Sequence, residues 1–417
     1  MKYYLCIDMK TFFASVECVE RGLDPFKTDL IVADSSRGKG SICLAITPKM
    51  KKRGIKNRCR VFEIPKNIHP IIAKPRMKKY IEYSVKVYKI YLKYVSKDDI
   101  HVYSIDEAFL DITSYIKLYK KNPYQIAKMI IDDIYNTLGL TATCGIGTNM
   151  YLAKIALDIL SKHSPTNIGY LNEELYKERL WNYEPLSDFW QIGRGIENRL
   201  HKLHIKNMKD LANYNENKLY KEFGINAELL IDHSKGIEPC TIKDIKNYKP
   251  KSNSISNNQI LFEDYSFKDA RIVLTEMIDN LVLNLVSKKL YTKVIGFSIG
   301  YSKDIIPMQN IRVTLKSHTN SFNKIKQELL TEYDYIINKN YKIRRIGIWF
   351  SNLTNKKVEQ LDLFGNVQIE QEEEKIEKAI NSIKEKFGKS SILRGISYTE
   401  KATQIKRNKL IGGHNGE

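Results

Sequence analysis

Two adjacent carboxylates, Asp106 and Glu107, stand at a turn between two apolar runs in Ser104-Ile105-Asp106-Glu107-Ala108-Phe109-Leu110-Asp111, a pair that on its own reads equally as a solvated turn or as a site for a cation. From 101 to 113 the pattern reads strand, short turn, strand. Successive side chains on a strand point to opposite faces, so at the turn one or both acids reach solvent or a cation. A third acid, Asp8, ends an apolar strand predicted over 3–8, where an unpaired buried carboxylate is costly. Three carboxylates converging on one edge of one sheet need cations. Mg²⁺ takes oxygen ligands, keeps several waters and is shared between carboxylates and substrate phosphates, which suits a site poor in His and Cys. Two such ions about 4 Å apart activate an attacking hydroxyl and stabilise a leaving pyrophosphate. The residues alone stop at metal-assisted phosphoryl chemistry, which a nucleotide cyclase would share.

The chain carries 68 Lys and Arg against 48 Asp and Glu, a net charge of +20, and that excess points to a polyanionic partner. Nearly all of the excess lies before residue 353. A length of 417 residues predicts two to four domains, and 42% hydrophobic residues supply each with a core. No stretch has the length and apolarity of a membrane span, and the opening MKYYLCIDMK lacks a signal-peptide pattern, so a cytoplasmic protein is expected. The six cysteines are scattered without a C-x-x-C pair and read as reduced core residues. His201 and His204 have no ligand cluster around them for zinc.

Periodicity predicts a helix from about Thr11 to Gly22, a strand over 140–147, and a helix from about Asn149 whose apolar stripe is Leu152, Ile155, Ala156 and Ile159. Lys154 falls off that stripe. Residues 245–352 form a separate pattern: strand 254–262, helix 266–290, strands 292–301 and 309–316, helix 321–337, strand 343–351. This β-α-β-β-α-β order makes a complete small domain. The polar stretch 243–253, with Lys243, Lys246, Lys249 and Lys251, reads as a basic linker able to follow a phosphate backbone. Gly38-Lys39-Gly40-Ser41 is not a Walker A loop.

Three blocks together resemble the signatures of Y-family translesion DNA polymerases. They are Ile7-Asp8-Met9-Lys10-Thr11-Phe12-Phe13-Ala14-Ser15-Val16-Glu17, Tyr103 to Asp111, and Cys144-Gly145-Ile146-Gly147-Thr148-Asn149-Met150-Tyr151-Leu152-Ala153-Lys154-Ile155-Ala156. Their order and spacing match as well, and the resemblance is greatest to the UmuC-like branch of Gram-positive bacteria and their mobile elements. It implies an α+β multidomain, right-hand polymerase: a ferredoxin-like palm (1–18 and 77–165), small fingers (19–76), a helix-hairpin-helix thumb (166–242), the basic linker (243–253), a β-α-β-β-α-β little finger (254–352) and a tail (353–417).

By that resemblance Asp8, Asp106 and Glu107 are catalytic and hold two Mg²⁺ ions, with the Met9 backbone carbonyl as a further ligand. Phe13 is the steric gate against a ribose 2′-hydroxyl and Phe12 packs beneath the incoming sugar. Phe12 read on its own is also a plausible helix-core residue, since one of two adjacent helical residues faces inward. Thr47, Lys51 and Lys154 belong to the nucleotide site. Where many relatives carry Tyr and Arg, this chain has Pro48 and Lys51, and an ammonium cannot make the two-pronged phosphate contact of a guanidinium. Gly193, Arg194 and Gly195 resemble a hairpin that meets the DNA backbone, joined by Lys249 and Lys251; the second hairpin glycine is replaced by Leu203-His204-Ile205. In the tail, Gln360, Leu361, Leu363 and Phe364 resemble the peptide with which bacterial polymerases hold the sliding clamp. The acidic run from Glu370 to Glu374 opens an amphipathic helix read as a solvated face. The implied activity is low-fidelity, template-directed synthesis on a primer from dNTPs in damage tolerance and the SOS response. The chain would act as a monomer off the membrane, with a UmuD-like accessory protein as a possible partner. The competing reading is a catalytically inactive, clamp-docked DNA binder.

Overall fold

The apolar run that ends in Asp8 is the central strand of a five-stranded sheet. A computed structural model describes residues 1–250, 253–355 and 367–416, and the chain divides into two compact units, Met1–Tyr248 with His414–Glu417, and Lys249–Gly413. The strands of the first unit are β1 (Tyr4–Met9), β2 (Leu30–Val32), β3 (Ala45–Ile46), β4 (Ile71–Ala73), β5 (Ile100–Val102), β6 (Glu107–Asp111), β7 (Ala142–Gly147) and β8 (Ile168–Leu171). The main sheet runs β5-β6-β1-β7-β8, antiparallel except for β7 with β8.

Period-two alternation sorts β1. Tyr4 and Cys6 join Phe109 of β6 on the face covered by the helix Met150–Ile155 and its π-helical continuation Ala156–Leu160, through Met150, Ala153 and Leu157. Leu5 and Ile7, fully buried, occupy the other face. Asp8 therefore shares the side of Tyr4 and Cys6. That helix lies directly on Gly145 and Gly147, which oppose Cys6 and Tyr4 across the sheet. A Cβ on Gly147 would sit 2.1 Å from the Ala153 nitrogen, and one on Gly145 2.0 Å from the Ala153 oxygen. The glycines are there for close approach, which brings Lys154 down to the sheet.

Two smaller assemblies complete the unit. A three-stranded sheet, β3-β2-β4, encloses Ile31, Cys43, Ile46 and Met50. Short helices between Glu173 and Ser234 pack around Tyr176, Leu200, Leu211 and Leu230. Three of them begin at an asparagine, Asn172, Asn207 and Asn215, whose side chain accepts from the backbone N–H three residues on at 2.8, 2.9 and 3.1 Å. The expected linker over 243–253 is shorter in the structure. Residues Ile242–Asn247 form a helix closed by a Thr241/Asp244 capping box, because Ile242 and Ile245, three apart, share an apolar face against the core around Tyr4.

The second unit follows the expected order: β9 (Ser254–Tyr265), helix Phe267–Ser287, β10 (Tyr291–Tyr301), β11 (Gln309–Thr319), helix Phe322–Ile336 and β12 (Ile343–Thr354), in an antiparallel sheet β11-β10-β12-β9. Helix residues such as Leu274, Ile278, Ile325 and Leu329 pack with Ile295, Phe297, Ile346 and Ile348 from the strands.

The tail helix Val367–Phe387 overturns the solvated reading of its acidic run. Glu373 accepts from the Ser321 hydroxyl at 2.6 Å and the Asn323 N–H at 2.9 Å, and Glu374 accepts from the Tyr291 hydroxyl at 3.2 Å. The reason is that Ser321 and Asn323, at the start of helix Phe322–Ile336, present donors in need of an acceptor. Beyond it, Arg394 pairs with Asp279 and Glu377 and lies 3.7 Å over the Phe322 ring. Glu276, only 2% exposed, accepts from the N–H groups of Thr403 at 2.8 Å and Gln404 at 3.2 Å. Part of the chain after residue 394 is thus bound into the unit by buried acids. Among the described residues, no helix is long and apolar enough to cross a membrane.

Replacing Arg394 with Ala leaves Glu377 buried without its cation. A loss of about 2–3 kcal/mol in unfolding free energy is expected, below the full value for a buried pair because Arg394 retains some solvent. Denaturant unfolding monitored for the transition of the second unit checks this, with Arg394→Lys recovering part of the loss.

Candidate active site

Antiparallel register sets Asp8 of β1 directly opposite Glu107 of β6, so both carboxylates leave the sheet on one side. Asp106 precedes Glu107 at the turn, and its carbonyl accepts from the Met9 N–H at 3.1 Å. The end of β1 and the acid turn are therefore one hydrogen-bonded piece. Ser104 organises the turn: its hydroxyl accepts from the N–H groups of Asp106 at 3.3 Å and Glu107 at 3.1 Å and donates to the Asp106 carboxylate at 2.7 Å. After Met9 the chain reverses sharply through Thr11, whose φ of 46° is left-handed, and enters the helix Phe12–Val19 at once.

The three acids repel one another. The Asp8 carboxyl is pushed up to about 7, first by burial and then by the charges of Asp106 and Glu107, with Lys162 and Lys154 opposing. Lys154, 8% exposed, approaches Glu107 at 2.8 Å and Asp158 at 3.0 Å, and Asp158 also holds Lys162 at 3.0 Å. Cys6 donates to the same Glu107 oxygen at 3.1 Å. Among the described residues no three His, Cys, Asp or Glu side chains close on a single point. Ser104 draws the Asp106 carboxylate and Lys154 draws that of Glu107. The donor set nevertheless fits a hard divalent cation: three carboxylate oxygens, mutually repelling, with no imidazole or thiolate ligand among the expected residues.

Phe12 is buried, whereas Phe13 is only partly so and stacks on Tyr80 with centroids 4.4 Å apart. The Tyr80 hydroxyl donates to Glu17 at 2.8 Å. Glu17, fully buried, also takes two hydrogen bonds from Arg76 at 3.0 and 2.9 Å and one from Arg21. Burial alone would raise the Glu17 pKa, but those donors outweigh it and hold it below the usual range. The wall behind Phe13 is thus anchored on a buried ion pair. Lys51 stands near enough to Lys162 and Asp8 for both charges to act on it. Thr47 is fully buried, with its hydroxyl donating to the Thr28 carbonyl at 2.8 Å and accepting from the Leu30 N–H at 3.3 Å. Its side chain is committed to the small sheet.

Gly193 and Gly195 open the helix Arg194–Lys202, and a Cβ on either would meet no atom within 4 Å, so packing does not demand glycine there. His204 adopts φ 61°, the left-handed turn where a glycine was expected. Lys249 is exposed; Lys251 and the expected clamp residues Gln360, Leu361, Leu363 and Phe364 lie outside the described residues. Asp158, Tyr80 and Arg76 were not foreseen. Only Asp158 had a signal, its spacing four from both Lys154 and Lys162 along a helix.

Residues 7–158 match the impB/mucB/samB family, and residues 252–363 match that family's C-terminal domain. The chain is 34% identical to "Putative UV-damage repair protein UvrX" of Bacillus subtilis (strain 168), over 99% of this chain and 97% of that one. It is 29% identical to "DNA polymerase IV 2" of the same organism, over 99% and 98%. A solved Y-family DNA polymerase chimera shares the fold at a TM-score of 0.66 and 23% identity, covering 85% of this chain and 100% of the chimera.

Gly147→Ala should force the helix bearing Lys154 off the sheet. A loss of about 1–3 kcal/mol in thermal or denaturant unfolding is expected, where an alanine at the open Gly195 changes stability by less than about 0.5 kcal/mol.

Proposed function

The chain belongs to the impB/mucB/samB family, the UmuC-like Y-family DNA polymerases, and we propose that it performs low-fidelity, template-directed translesion synthesis. Family membership makes it a DNA-directed DNA polymerase, with primer-template DNA and dNTPs as substrates. The observation that carries the reading is the facing pair Asp8 and Glu107 with Asp106 beside them, backed by Lys154 at the edge of a sheet.

In this reading Asp8, Asp106 and Glu107, with the Met9 carbonyl, hold two Mg²⁺ ions. When bound, the ions lower the pKa of the primer 3′-hydroxyl and neutralise charge on the leaving pyrophosphate. The hydroxyl gives its proton to solvent water as its oxygen bonds to the α-phosphorus of the dNTP, and the bond from that phosphorus to the leaving pyrophosphate oxygen breaks. Lys154 exchanges its Glu107 partner for a substrate phosphate, with Asp158 keeping it in place. Lys51 adds a second cation toward the triphosphate, a point charge where relatives carry a forked guanidinium. Phe13, pressed against Tyr80, excludes a 2′-hydroxyl, while Phe12 supports the sugar from the helix core.

The palm is 1–18 with 77–165, to which β8 (Ile168–Leu171) belongs as well because it pairs with β7 in the palm sheet, so the thumb begins after it and runs to 242; the fingers are 19–76 and the little finger 254–352. The open face of the little-finger sheet supports DNA contact. Exposed Asn310, Arg312 and Asn258 stand over a floor that includes Gly296 and Gly347, and a Cβ on Gly347 would meet Ser298 and Asn258 oxygens at 2.4 Å. Gly193, Arg194, Gly195, Lys249 and Lys251 add sequence-independent backbone contacts, consistent with a net charge of +20. Gln360, Leu361, Leu363 and Phe364 form the sliding-clamp peptide, a reading that rests on sequence alone. A role in the SOS response and a UmuD-like accessory partner extend the same family reading, as does action as a monomer.

Purified chain should extend a primer with Mg²⁺, and Asp106→Ala should lower extension at least about 10³-fold with DNA affinity unchanged. Loss of DNA binding in parallel would assign Asp106 a folding role. Phe13→Ala should raise ribonucleotide incorporation about tenfold or more relative to dNTP, checked by single-nucleotide insertion; unchanged sugar selectivity would remove Phe13 as the gate.

A further inference from the structure

Tyr103 is a large aromatic residue left 46% exposed immediately before the acid turn. Its position is nonetheless fixed from several directions. The N–H groups of Tyr103 and Ser104 both donate to the Glu107 carbonyl at 3.0 Å, so the backbone that sets the catalytic acids also sets this ring. Phe109 meets it edge-on at 5.9 Å, and Trp190 meets it edge-on at 5.9 Å. The Trp190 indole N–H donates to the Tyr103 hydroxyl at 3.1 Å, and the Lys154 ammonium lies 5.9 Å from the ring centroid.

Trp190 reaches this point from the hairpin that continues into Gly193 and Arg194. It is itself wedged, 5.8 Å from Phe109 and stacked 6.2 Å from His233, so the indole is a strut between the helical part of the unit and the acid turn. A staple that served packing alone would bury the ring it holds. This one holds a ring with nearly half its surface open, three residues before Asp106. Aromatic surface in such a place suits a nucleotide, because a base of any sequence stacks on an aromatic face. Any hydroxyl attacking at a cation held by Asp106 and Glu107 must reach that same turn.

We propose that Tyr103 contacts the terminal nucleotide of the primer and that Trp190 is a positioning residue, holding the Tyr103 ring through its indole N–H. The inference rests on the polymerase reading and deepens it. It couples the hairpin offered to the DNA backbone with the alignment of the primer end, so that displacement of the hairpin is felt at the acid turn through the Trp190–Tyr103 hydrogen bond and the ring contacts beside it.

The test is primer extension by full-length chain from matched and from mispaired primer ends, with thermal unfolding measured on each variant. Tyr103→Leu should lower extension from mispaired ends about tenfold more than from matched ends. Tyr103→Phe keeps the ring and removes only the hydroxyl that accepts the hydrogen bond, whereas Trp190→Phe removes the indole N–H donor together with part of the indole surface against Phe109 and His233. Each should shift the matched-to-mispaired ratio about threefold, and the double variant should shift it no further than either alone. An unchanged ratio in all variants, with extension falling only as stability falls, would show a packing staple and overturn the proposal. If wild type extends and Tyr103→Leu extends equally from both ends, this inference fails and the polymerase reading stands; a wild type that extends no primer overturns both.

Discussion

Mutual repulsion among Asp8, Asp106 and Glu107 is the constraint around which the first unit is arranged. Register puts two of these acids face to face, and burial adds to the cost of ionising Asp8, so the neighbourhood supplies cations. Lys154 is the nearest, itself buried and held between Glu107 and Asp158. A buried lysine in such a place is tolerated only because two carboxylates receive it.

Backbone features with no charge of their own make that arrangement possible. Gly145 and Gly147 let a helix rest on the sheet at a distance no side chain would permit, and the π-helical turn after Ile155 continues the helix through Asp158. Thr11 accepts a left-handed conformation so that strand becomes helix within one residue, which sets Phe12 in the core and Phe13 at its edge against Tyr80. Glu17 behind Tyr80 is fully buried but multiply paired, by Tyr80 and by two partly exposed arginines, the condition under which a buried ion stabilises position instead of costing it.

The second unit uses buried charge differently. Its tail helix turns Glu373 and Glu374 toward donors on the domain and Glu377 toward Arg394 of the following tail segment, and leaves Ile376 and Phe387 exposed. Side-chain acceptors there satisfy helix starts and an arginine, so polar contacts attach the tail where apolar ones would be expected.

The sequence by itself determined the chemistry and the order of the parts. Asp8, Asp106 and Glu107 were legible because acids are rare among apolar strand residues, and β-α-β-β-α-β was legible because periods of 2.0 and 3.6 are local properties of the chain. The roles proposed for Phe13 and Lys154 come from the resemblance and not from any local pattern in the chain. Tertiary structure alone decided the partners: that Glu107 faces Asp8 in register, that Tyr80 backs Phe13 across 67 positions in sequence, that Thr47 spends its hydroxyl on the small sheet, and that the acidic tail turns inward. The helix over 242–247 in place of linker belongs here too, since two isoleucines in a polar run become a face only when a core is present to receive them. Local pattern fixes which way a side chain points within its own element, but which group it meets depends on loops and packing that bring distant elements together, and no spacing in the chain encodes that meeting.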